Sequence, residues 1–301
     1  MNERDIEALV AAVLAEMSDK KADCSCNKEC SHKEAPVVGS TAKVAMLTGE
    51  KKIEVKEFPI PAIGDDEILV KVEGCGVCGT DVHEWKGDPF GLIPAVLGHE
   101  GSGEIVAIGK NIKVDTTGNP IGVGDKIVTS VLACGTCPMC LSHPELPQLC
   151  ENQGVYGLIP DSEDKHLNGW FANYLVIRKG STFFNVNGMS LDQRMLIELC
   201  AVAVHAVERA QKANIMNFNS NILVQGCGPV GQVVIAVLKT YGYRNIFALD
   251  GNDARLETAR SMGAVETINF KTLNTLEART NFVNARTKQL GVDFAFQCTG
   301  V

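Results

Sequence analysis

The sequence predicts an α/β protein in two parts, a strand-rich domain followed by a doubly wound parallel sheet. Three observations predict it. Short β-type runs punctuated by Gly, Pro and Asp fill the chain from Lys43. After about residue 190 the texture changes to alternating helix-type and strand-type runs, as parallel strands with helices on both faces require. A glycine-rich turn, GCGPVG at 226–231, falls where a strand hands over to a helix.

The 301 residues suit two domains better than one. A formal charge of −8 gives no electrostatic footprint for nucleic acid or an anionic membrane. No apolar run reaches the roughly 18 residues of a membrane span. The N-terminus lacks a basic start followed by an apolar block, so no secretory signal is expected and the setting reads as cytoplasmic. Twelve cysteines without an export signal point to metal ligands or free thiols rather than disulfides.

Taken in order, residues 1–20 read as an amphipathic targeting helix. Within 3–17, Ile6, Leu9, Val10, Val13, Leu14 and Met17 form one apolar stripe, while Glu3, Arg4, Glu7 and Glu16 lie off it. Asn2 can cap the start. Residues 21–42 read as a linker rich in polar residues. Its Cys24, Cys26, Cys30 and His32 leave a small metal site open, with a flexible thiol-bearing tether as the plainer reading. A helix on such a tether either docks on its own domain or seeks a groove on a partner.

Residues 43–190 form the strand-rich domain, with runs KVAMLT, KIEVKEF, EILVKVEGCGV, GEIVAIG and DKIVTSV. Residues 191–301 supply the alternating part. LDQRMLIELCAVAVHAVERAQ reads as one helix, NILVQ as a strand and PVGQVVIAVLKTYG as a helix. NIFALD, ETINF and VDFAFQ then read as strands, separated by helices over DARLETARSMGA and across 273–290.

The strongest chemical cluster is CGTCPMC, with Cys134, Cys137 and Cys140, followed by Cys150. Four thiols so spaced can close a tetrahedral zinc site with no open position, which would hold a lobe in shape. A second group is dispersed: Cys78 in GCGVCGTDVH, His99 and Glu100 in GHEGSGEIVAIG, and Glu198 in IELCAVAVHA. Thiolate, imidazole and carboxylate suit zinc, and fewer than four fixed ligands would leave a place for substrate. Singly, each has a plain structural explanation, and spacing alone does not bring them together.

In the turn at 226–231, Gly226 permits a tight bend, Gly228 lets backbone approach a pyrophosphate, and Gly231 packs helix on strand. Pro229 and Val230 open the helix, whose N-terminus would face the phosphates. Asp250 ends the next strand and can accept hydrogen bonds from both ribose hydroxyls, which favours NAD over NADP.

GHEGSGEIVAIG resembles the zinc signature of the medium-chain alcohol dehydrogenase family, and CGTDVH that family's first catalytic-zinc segment. VGDKI, the four-cysteine lobe and the nucleotide motif follow in the family's order. The resemblance implies a GroES-like catalytic domain and a Rossmann nucleotide domain, two zincs per chain and NAD. It makes Cys78 and His99 catalytic-zinc ligands. Glu198 takes a position that is cysteine in liver-type members, like the sorbitol, butanediol and threonine dehydrogenase branches. Either Glu100 or Glu198 then completes the zinc's ligands. Thr80 would hold the substrate hydroxyl and His83 would pass its proton outward. The nine residues between Cys140 and Cys150, where seven are usual, make Cys150 the least conforming ligand.

The implied reaction is hydride transfer between a secondary alcohol or polyol and NAD. Residues 3–17 resemble an encapsulation peptide of bacterial microcompartments, which implies contact with a shell or a co-encapsulated enzyme and recycling of NAD inside it. Family members continue past a strand such as VDFAFQCTG with further sheet strands, so an incomplete Rossmann sheet is expected here, with homo-oligomers expected of the full-length form. The competing expectation is a non-catalytic, zinc-stabilised cargo or scaffold piece.

Overall fold

The computed structural model describes residues 39–300, so the helix expected at 3–17 and the cysteines of the linker lie outside the described residues. The chain divides into two units, Met1–Ile197 and Glu198–Val301.

The first unit opens with β1 (Thr41–Gly49) and β2 (Lys52–Pro59), an antiparallel hairpin. β3 (Ile68–Gly76) runs into α1 (Gly79–Gly87), then β4 (Ala95–Val96) and β5 (Glu100–Ile108). β6 (Lys126–Leu132) leads to a lobe holding α2 (Pro138–Ser142) and a 3-10 turn at Pro147–Leu149. β7 (Gly154–Val155), β8 (Tyr174–Ile177), β9 (Ser181–Asn185) and α3 (Leu191–Met195) complete the unit. β4 pairs with β1, while the larger antiparallel sheet has the order β7-β6-β5-β3-β8, with β9 on β6. Alternate residues of these strands point inward, and Ile68, Val70, Ile105, Ile127, Leu175 and Trp170 form one core between them.

The second unit starts with α4 (Ile197–Lys212). β10 (Asn221–Gln225), α5 (Pro229–Thr240), β11 (Asn245–Asp250), α6 (Asp253–Met262), β12 (Glu266–Asn269), α7 (Leu276–Arg286) and β13 (Phe294–Gln297) follow. Its four strands are parallel in the order β12-β11-β10-β13, as alternating helices and strands dictate. Ile222, Val224, Val234, Ile235, Leu238 and Ile246 fill its core.

Two elements differ from their sequence expectation. The single helix expected from Leu191 is two, broken at Leu196, whose N–H turns back to the Gln193 carbonyl. Buried Arg194 holds α3 down: its Nη1 donates to Glu73 Oε2 at 2.6 Å and to Ser102 Oγ at 2.9 Å, on β3 and β5. The helix expected across 273–290 is trimmed at both ends. Thr275 caps it by accepting from the Ala278 N–H, and Lys288 and Gln289 leave it with positive φ of 54° and 69°.

Candidate functional site

Strand register assembles the dispersed group. Gly76, the last residue of β3, lies opposite Glu100, the first of β5. Cys78 follows β3 by two residues and His99 precedes β5 by one, so the ends of two paired strands meet. One ligand atom from each of Cys78, His99 and Glu100 lies within 4.8 Å of the others. Gly76 makes room: a Cβ there would collide with Glu100 Oε2. Thiol, imidazole and carboxylate converging on one point are the donor set zinc takes. Glu198, the other expected carboxylate, sits in the first turn of α4, in the second unit.

Asp81 was missed by sequence reasoning, and it organises this cluster. It is fully buried, the third residue of α1. Its Oδ2 accepts the Cys78 N–H at 2.8 Å and its Oδ1 accepts the Gly98 N–H at 3.0 Å, tying the two strand ends together. Oδ1 also faces His99 Nδ1 at 3.4 Å, an ion contact rather than an aligned hydrogen bond. Burial alone would push the imidazole of His99 down, but Asp81 and then Cys78 outweigh it and raise its pKa to about 10. The available signal was its spacing: an acid three residues after a helix-opening Cys78 can reach back to that residue's N–H. Thr80 Oγ1 stands 3.7 Å from Cys78 Sγ, and His83, farther along α1, is exposed.

The four-cysteine lobe lies between β6 and β7. The sulfurs of Cys134, Cys137, Cys140 and Cys150 lie within 4.8 Å of one another. Backbone N–H groups point at them: Cys137 N at 3.4 Å from Cys134 Sγ, Cys140 N at 3.4 Å from Cys137 Sγ, and Cys134 N at 3.2 Å from Cys150 Sγ. Donors of this kind stabilise thiolates. The backbone and hydroxyl of Thr136 lower the Cys134 thiol to about 5, and the Cys140 N–H lowers that of Cys137. Burial, with the neighbouring sulfurs, pushes Cys140 up to about 12. Thiolates crowded beside thiols are a charge distribution that a divalent soft cation would balance. The long Cys140–Cys150 segment contains the 3-10 turn, which Cys150 caps by donating its N–H to the Pro147 carbonyl.

In the second unit the glycine turn has the geometry a dinucleotide needs. Gly226 takes φ +90°, and a Cβ there would stand 2.5 Å from Thr299 Cγ2. A Cβ at Gly231 would collide with the Gly226 carbonyl, so this glycine lets α5 sit on the turn. Gly228 caps α5 and faces open space, with nothing within 4 Å of its would-be Cβ. Pro229 starts the helix, and Val230 is 37% exposed beside it. Asp250 is held by the same turn: Oδ2 accepts the Cys227 N–H at 2.8 Å and Oδ1 accepts the Asn252 N–H at 2.9 Å. Gly226 and Asp250 line one cavity of about 650 Å³. An open helix N-terminus with a fixed carboxylate beside it suits a pyrophosphate and a ribose.

Comparison with known proteins agrees with both halves. Residues 64–186 match the model of the alcohol dehydrogenase GroES-like domain, and residues 229–301 that of the zinc-binding dehydrogenases. The chain is 31% identical over 271 residues to a sorbitol dehydrogenase of Bacillus subtilis, covering 87% of this chain and 70% of that protein. It is 32% identical over 266 residues to an L-threonine 3-dehydrogenase of Bacillus licheniformis, again covering 87% and 70%. Among solved structures it is similar to an alcohol dehydrogenase of Thermotoga maritima, with a TM-score of 0.79, 30% identity, and 87% and 72% of the two chains covered. Among the described residues, no helix is long and apolar enough to cross a membrane.

Proposed function

Because the chain belongs to the zinc-binding alcohol dehydrogenase family and is an oxidoreductase of alcohols or polyols, we propose residue roles for its chemistry. Cys78, His99 and Glu100 hold a catalytic zinc, and Cys134, Cys137, Cys140 and Cys150 hold a structural one. Glu198 is a second proposed carboxylate for the catalytic zinc. The observation that carries this reading is the convergence of Cys78, His99 and Glu100, with Thr80 beside them.

When bound, the zinc supplies Lewis-acid polarisation of the substrate oxygen and NAD supplies the hydride acceptor. The chain's own residues do the rest. Asp81 holds His99 and the Cys78 backbone in place. The Thr80 hydroxyl accepts the substrate's proton in a hydrogen bond, and exposed His83 passes it to water. Gly226, Gly228, Pro229, Val230 and Gly231 cradle the pyrophosphate. Asp250 binds the ribose hydroxyls and repels a 2′-phosphate, which selects NAD over NADP. The relatives named for sorbitol and L-threonine point to a secondary alcohol in a polyol or hydroxy-amino acid as substrate.

The test is zinc content per chain together with reduction of NAD⁺ by a panel of secondary alcohols that includes sorbitol and L-threonine. About two zincs and alcohol-dependent NADH formation are expected. One zinc and no turnover would favour the zinc-stabilised cargo piece instead. Residues 3–17 are proposed to dock on a microcompartment shell or an enclosed enzyme, on the strength of their apolar stripe. Deleting residues 1–20 should abolish co-localisation with a shell while leaving turnover unchanged.

A further inference from the structure

β3 and β5 do not keep one register along their length. Val72 lies opposite Gly103, but the next pair is Gly74 opposite Ser102, so Glu73 is an extra residue bulged out of the ladder. Side chains along a strand alternate between faces, yet Glu73 and Gly74 turn the same way. The Glu73 carboxylate meets Arg194 of α3, and a Cβ at Gly74 would stand 3.2 Å from Met195 Sδ on that same helix. The bulge decides what meets at the Cys78 cluster. Beyond it, Gly76 faces Glu100; had the pairing of Val72 with Gly103 continued, Cys75 would face Glu100 and Gly76 would face His99. The place opposite Glu100 has no room for a Cβ, and the bulge is what puts a glycine there.

Side chains from α3 and β6 hold the bulge. Arg194 Nη1 donates to Glu73 Oε2 at 2.6 Å and to Ser102 Oγ at 2.9 Å, and Ser102 Oγ donates to the Ile127 carbonyl on β6 at 2.9 Å. Lys126, also on β6, donates to Glu73 Oε1 at 2.9 Å and to Glu104 Oε2 at 2.5 Å. Both oxygens of the bulged residue are thereby fixed. Stability is a poor reason for this arrangement, because Arg194 is 7% exposed and its Nε is buried with no partner among the described residues. An ion pair with a buried member is often replaceable by apolar residues without loss of stability, and its best-attested use is to fix a register. We propose that Arg194 and Glu73 are positioning residues for the Cys78 cluster: they pin the bulge, and with it the register that brings Cys78, His99 and Glu100 together. This assignment rests on the zinc reading above.

The test measures zinc affinity at each cluster of the whole chain by chelator competition. It also records the absorption of Co²⁺ at the Cys78 cluster with zinc retained at the lobe. Arg194→Met and Glu73→Ala should each weaken zinc at the Cys78 cluster roughly tenfold and leave zinc at the lobe unchanged. The double variant should lose no more than either single one, because the same pin is missing in all three. Its Co²⁺ bands should shift from those of the parent, since the donors have moved. Arg194→Lys keeps a cation but not the guanidinium fork, so it should fall between parent and Arg194→Met. The double variant leaves no unpaired buried charge, so it decides the matter if a single variant fails to fold. A lowered melting temperature with Cys78-cluster affinity and Co²⁺ bands unchanged would overturn the proposal, because a merely structural pair gives that result. If the parent holds zinc at the lobe only, the zinc reading of the Cys78 cluster itself falls, and the pin with it.

Discussion

The two thiol-bearing clusters of the first unit are built in opposite ways. The lobe takes all four sulfurs from one irregular stretch, 134–150, whose only regular elements are a five-residue helix and a 3-10 turn. The Cys78 cluster takes its groups from the ends of two long paired strands, tied by a fully buried carboxylate. Irregular backbone with little apolar burial has few means of holding a shape, so the lobe depends on what its sulfurs bind. Strand ends anchored in a sheet hold their shape without help. On the proposed zinc assignment, the first cluster would organise chain around a metal, whereas the second would offer a metal an existing site.

Breaking one ligand in each separates the two kinds of dependence. Cys78→Ser should lower kcat/KM roughly a thousandfold or more, since several kcal/mol of charge stabilisation go with the zinc, while the melting temperature changes little. Cys137→Ser should instead destabilise the fold by about 4 kcal/mol or more, as loss of a structural metal does, and denaturant unfolding would show it. Equal stability losses in both variants would erase the distinction. A smaller effect sharpens it. Asp81→Asn should weaken the intrinsic affinity for zinc at the Cys78 cluster, taken for unprotonated His99, about 10- to 100-fold by loosening that ring, with zinc at the lobe unchanged in chelator competition.

The same contrast decided what could be read in the sequence. CGTCPMC shows its chemistry because its ligands are neighbours along the chain. The alternation after residue 190 and the turn at 226–231 were legible because period and local order carry them. The meeting of Cys78 with His99 and Glu100 was not visible in spacing, because it depends on the register of β3 against β5. Resemblance to the family supplied what spacing did not. The break at Leu196 escaped because its cause, the clamp of Arg194 on Glu73 and Ser102, spans about a hundred residues of sequence. Asp81 escaped for a different reason: an acid early in a helix is so ordinary a cap that nothing marks it as a partner for His99.

The finest distinction between the clusters lies in protons. Without metal, His99 has its pKa raised from 6.5 to about 10, so between those values the folded protein carries a proton there that the unfolded chain has lost. The metal-free protein therefore has the full stabilisation of the His99–Asp81 contact below about pH 6.5 and loses it as pH rises through about 10. Zinc needs the neutral imidazole, so binding must expel this proton. His99 alone should then lower apparent zinc affinity about tenfold for each pH unit below 10. At the lobe, Cys134 is lowered to about 5 and contributes no such slope above that pH, whereas Cys140, pushed up to about 12, contributes one that Asp81 does not govern. Asp81→Asn removes the charge that raises His99, so its pKa should fall back towards the ordinary value. The pH slope at the Cys78 cluster between pH 7 and 9 should then flatten by about one proton. Chelator competition at several pH values in the parent and in Asp81→Asn measures that difference. An unchanged slope would mean that Asp81 positions His99 without setting its charge.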